Sequence, residues 1–133
     1  VMATLEGLCA RMAVENCTAE GLRVLERMHD RLEEAAAAGD VNRYFDENHV
    51  FHRAVQELSG NRWLQRITSE LRGVLQLARQ KQLTLPGRLG QSLEEHRQIM
   101  EAFRRHEPLK AQQAMERHLC RQRDALKDGK PDQ

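Results

Sequence analysis

Apolar residues recur at spacings of three and four along almost the whole chain, and no segment shows a convincing strand pattern. The spacing predicts six helices. The first covers Met2–Glu15 with Leu5, Leu8, Cys9 and Met12 on one face. The second runs from a Thr18 cap to Ala38 and carries Leu22, Leu25, Met28 and Leu32. Gly39 stops it, and Asp40 caps a third helix whose seam holds Phe45, Phe51, Val55 and Leu58. Asn61 opens a fourth, with Leu64, Ile67, Leu71, Val74 and Ala78 inward. The stretch "QLTLPGRLGQ", residues 82–91, reads as the longest loop. Ser92 and Glu95 then form an S-x-x-E capping box before Ile99, Met100 and Phe103 of a fifth helix. Pro108 suits the first turn of a sixth, which carries Ala111, Ala114, Met115, Leu119 and Leu126. Short connections between such helices imply an all-α antiparallel bundle. It occupies residues 1–128, and the polar "DGKPDQ" end leaves 129–133 as a frayed tail.

A chain of 133 residues is one domain by size and can bury a sizeable core without staples. A formal net charge of +1 gives no basis for strong unspecific attraction to nucleic acid or to an anionic membrane. No apolar run approaches the length of a membrane-spanning helix. Three cysteines, with no close pair and no signal peptide, point to reduced thiols in a cytoplasm.

The polar residues on the apolar seams carry the chemistry. Asn48 and His52 share the third helix's seam, four residues apart, so both project from one face. His96 precedes Ile99, Met100 and Phe103 by three, four and seven, and His118 follows Met115 by three. A single histidine on such a face is ordinarily a satisfied core residue. Three on three helices, with Asn48 one turn away, would cost about 1–3 kcal/mol each if left unpaired. Convergence on one metal ion would satisfy them together, as in other helical bundles. His29 borders an apolar face, His49 lies beside a seam, and His106 falls in the break before Pro108.

The order "NHVFH", "SGN", "SLEEHRQIMEAF" and "AMERHL", with "LEGLCARMAVENCT" and "GDVNRYFDENHVFH" before them, resembles the FadR-type C-terminal (FCD) effector-binding domain of GntR-family transcription regulators. The likeness covers about Leu5–Leu126. It implies a bundle of six or seven helices around a pocket for a divalent metal and a small carboxylate effector. The metal ligands it implies are Asn48, His52, His96 and His118, with Asn48 standing where the family commonly has an aspartate. An amide oxygen coordinates more weakly and without charge. Three neutral imidazoles and one amide would leave the ion's charge uncompensated, favouring an anionic guest. Nitrogen-rich ligation suits zinc or nickel. Arg79 resembles a family arginine that lies near the effector. The resemblance further implies a homodimer and a cytoplasmic regulator. DNA would be bound only through an N-terminal winged helix-turn-helix that this chain lacks.

Two other readings compete with that of a non-enzymatic sensor. A metal-dependent hydrolase would need a general base, for which Glu94 and Glu95 are the candidates. A metal-free dimerisation scaffold would bury its histidines as architecture. No nucleophile motif or phosphate-binding glycine loop supports the first.

Overall fold

The computed structural model describes residues 1–128, so the expected frayed tail, 129–133, lies outside the described residues. Six helices follow in order: α1 (Met2–Asn16), α2 (Ala19–Ala37), α3 (Val41–Leu58), α4 (Arg62–Gln82), α5 (Arg88–Arg104) and α6 (Pro108–Asp128). No strand occurs among the described residues, and the fold is all-α as the periodicity predicts. The capping residues expected at α2, α3 and α4 act as such. Thr18 accepts from the Gly21 amide, Asp40 from Arg43, and Asn61 from Trp63 and Leu64. Each satisfies amide donors that a helix leaves free in its first turn.

α1 packs along α6 and also meets α3 and α4; α5 lies against α6 and α2, and α2 against α3. Small residues let α1 sink into this arrangement. A Cβ on Gly7 would stand 2.6 Å from Glu116 Cγ and 3.2 Å from the Gln112 carbonyl, so only glycine permits this approach to α6. The core includes Leu25, Leu32, Phe51, Ile99, Met100, Phe103 and Met115, all fully or almost fully buried.

Three expectations fail locally. α5 begins at Arg88, a full turn before Ser92, because Gly87 at φ 75° already turns the chain after Pro86. Ser92 is therefore buried inside the helix, where its hydroxyl and that of Tyr44 are 2.9 Å apart, and Glu95 is no cap. α4 is rotated relative to its apolar pattern: Ile67 is 43% and Val74 81% exposed, while Thr68, Arg72, Arg79 and Gln82 face inward with Leu64. On α1, Glu6, Ala10 and Ala13 are buried with Cys9, whereas Leu5, Leu8 and Met12 are only partly covered. In both helices the inward positions carry charge, and a reading that assigns apolar residues to the core chooses the wrong face.

Candidate metal centre

α3, α5 and α6 bring His52, His96 and His118 together in the middle of the bundle. Nitrogen atoms of the three rings lie within 4.8 Å of one another, and all three side chains are at most 1% exposed. His52 and His118 stack with centroids 5.4 Å apart, and His96 stands edge-on to both at 5.2 and 4.6 Å. Donors sharing a tetrahedral zinc at about 2.0–2.1 Å would sit roughly 3.3 Å from one another, so small rotations would close the set.

Two buried carboxylates orient two of the rings. Glu6 of α1 lies 3.1 Å from His52 Nδ1, and Glu95 of α5 lies 2.6 Å from His118 Nδ1. Both carboxyls are held below their ordinary range. Burial alone would raise Glu6, but Arg72, His52 and Arg79 outweigh it. At Glu95 the same penalty is outweighed by hydrogen bonds from His118 and Arg88. An ionised carboxylate only accepts, so each ring donates from Nδ1 and keeps its lone pair on Nε2. This carboxylate–histidine arrangement is the one that fixes metal-binding imidazoles elsewhere. His52 Nε2 has no partner; His118 Nε2 accepts from Gln122 Nε2 at 3.2 Å.

His96 is the ring with the fewest partners, and like His118 it is fully buried. It is 0% accessible, and neither ring nitrogen has a hydrogen-bond partner. Asn48, one turn before His52, is 3% accessible with an unpartnered Oδ1. Gln56, one turn after His52, is buried with Nε2 also unpartnered. The basicity of the rings follows their surroundings. Burial, then the Arg72 charge, pushes His52 down to about 3 despite Glu6, and burial with the neighbouring rings drives His96 well below its usual value. Burial also lowers His118, against the pull of Glu95. The rings are therefore neutral at pH 7, the state in which imidazole binds metal.

Of the expected residues, His52, His96 and His118 converge. Asn48 is buried on the same helix as His52, and Arg79 is 7% exposed and tied through Nη2 to Glu6 Oε2 at 3.2 Å. Sequence reasoning passed over Glu6 and Arg72. Arg72 Nη1 clasps both Glu6 oxygens, at 2.7 and 2.9 Å. A signal was present: Glu6 stands four and seven residues before Ala10 and Ala13, on the small-residue face of α1. Glu95, one of the two candidate bases of the hydrolase reading, is instead clamped by both Arg88 terminal nitrogens at 2.9 and 2.8 Å, while Glu94 is exposed.

The FCD domain family matches residues 1–121 of the chain. E. coli McbR/YncC shares the fold with a TM-score of 0.86 at 18% identity, over 96% of this chain and 65% of that one. Streptococcus agalactiae GntR does so with a TM-score of 0.78 at 26% identity, over 92% of this chain and 55% of that one. The chain thus spans less than two-thirds of either solved protein. No curated protein matches it.

Proposed function

The chain belongs to the FCD domain family and is an effector-binding regulatory domain, not an enzyme, and from that premise we propose that it senses a small organic acid through a divalent metal held by His52, His96 and His118. His96 is the observation that carries this reading. A buried imidazole with two unpartnered nitrogens costs about 1–3 kcal/mol for each unsatisfied group, and a metal ion among the three rings would relieve that cost on the nitrogen that carries the lone pair. Asn48 Oδ1 would be the fourth protein ligand. Zinc or nickel suits the nitrogen-rich set. An acid's carboxylate would complete the coordination and supply the negative charge that the neutral ligands do not. Occupancy would modulate DNA binding by a separate N-terminal domain in a homodimeric, cytoplasmic regulator.

Protein purified without chelator should hold close to one zinc or nickel ion per chain by elemental analysis. At free metal a hundredfold above Kd, binding to the native state alone adds about 2.7 kcal/mol, or roughly 8–10 °C in Tm for a chain of this size. Chelator should reverse the shift while helicity persists. Absence of metal even after loading with zinc or nickel would leave the rings as architecture.

A further inference from the structure

The three converging rings are not equally open to an ion. His118 Nδ1 donates to Glu95 at 2.6 Å, which leaves the lone pair on Nε2, and Gln122 Nε2 donates to that atom at 3.2 Å. His52 Nε2 has no partner, and neither has either nitrogen of His96. An imidazole nitrogen has one lone pair, so a hydrogen-bond donor and a metal ion exclude each other there. The protein therefore blocks one of its three rings with a side chain of its own.

Gln122 is placed both to hold that position and to leave it. It follows His118 by four residues on α6, so the two side chains are neighbours on one face of the helix. It is 4% exposed, and among the described residues its side chain makes no other hydrogen bond. It also lines a cavity of about 380 Å³ that opens among the start of α1, α4 and α6, together with Met2, Leu75, Leu119 and Leu126. An amide released from His118 has this space to turn into, and water there can replace the lost partner. The exchange requires rotation of one side chain and no displacement of a helix.

We propose that Gln122 is a latch on the metal centre: it occupies the His118 lone pair in the metal-free domain, and an ion joins all three rings only when the amide turns out into the cavity. The proposal rests on the reading of the three histidines as a metal site. Each binding event then breaks a buried hydrogen bond, so Gln122 sets the metal concentration at which the centre fills. The same bond satisfies His118 in the metal-free domain, where an unpaired buried nitrogen would be destabilising.

Zinc titration of the wild type, Gln122→Met and Gln122→Leu against a chromogenic chelator tests this. Neither replacement donates a hydrogen bond, and two different shapes separate the lost bond from a packing fault in either one. Both should bind zinc at least about fivefold more tightly, the ordinary net worth of one hydrogen bond between neutral groups. In the wild type, solvent exchange of the Gln122 side-chain amide protons, followed by NMR, should be slow in chelator and faster with zinc. A residue that merely packs would move neither reading. Equal zinc affinity in all three proteins, or amide exchange unchanged by zinc, overturns the latch and leaves the metal reading intact. Weaker binding by both variants also overturns it, since Gln122 would then support the ion and not oppose it. Zinc uptake by the variants alone supports the latch and removes the reading of the wild type as a metal-loaded domain. No uptake by any of the three removes the metal reading and the latch together.

Discussion

At the scale of the residue, the three histidines differ in what holds them, and that difference makes predictions. His118 is bonded on both nitrogens, to Glu95 and Gln122, whereas His96 is bonded on neither. His96→Leu keeps volume and removes two unsatisfied groups, so the chelated protein should gain about 1–3 kcal/mol for each, while metal binding is lost. His118→Ala should cost roughly 2–4 kcal/mol in chelator, through lost hydrogen bonds and a cavity, and more in zinc, where the stabilisation from bound metal is weakened as well. Denaturant melts of both variants, with and without zinc, check this. A His96→Leu protein less stable than wild type in chelator would mean that the ring is a satisfied core residue. Asn48→Asp should tighten zinc binding at least tenfold, because a carboxylate brings charge to a ligand set that has none. Competition titration against a chromogenic chelator reads this directly, and equal affinities would remove residue 48 from the ligand set.

At the scale of the element, α4 holds the lesson on what could be read in advance. The seams of α3, α5 and α6 were legible because apolar residues flank their histidines at helical spacing, and the three caps were legible because their side chains bond locally. The inward face of α4 was not, because it answers to Glu6, sixty-six residues away from Arg72 in sequence. Ion pairing across that distance leaves no periodic trace. The outward face keeps the apolar pattern instead: Trp63, Ile67, Val74 and Leu77 are 69%, 43%, 81% and 78% exposed. In an antiparallel pairing of α4 with the same helix of a second copy this stripe would become core, as expected for the proposed homodimer. Val74→Glu with Leu77→Glu should then convert dimer to monomer by light scattering, with helicity retained. A wild-type domain that is already monomeric at micromolar concentration would exclude this face as the contact.

At the scale of the whole molecule, the buried centre sets the pH range over which the fold survives. His52 is lowered to about 3, and His96 and His118 are lowered as well, whereas the unfolded chain protonates its histidines near 6.5. Between those limits the unfolded state binds more protons, so stability falls as pH falls. The contribution is fully present above about pH 6.5 and is lost on the way towards the folded values. Glu6 and Glu95, held below their ordinary range, act in the same direction but only below the usual carboxylate pKa. Three coupled rings give a limiting slope of roughly 4 kcal/mol per pH unit, from about 1.4 kcal/mol for each proton. Against a typical total of about 5–15 kcal/mol, the chelated domain should unfold cooperatively between about pH 4 and 5.5 and take up more than one proton as it does so. Zinc competes with those protons for the same lone pairs, so saturating metal should move the midpoint lower and steepen it. Urea melts at half-unit steps from pH 7.5 to 4, each with chelator and with zinc, measure both effects. A chelated domain equally stable at pH 7 and pH 5 would show that the seam histidines are not neutral and buried in solution, and the metal centre would lose its physical basis.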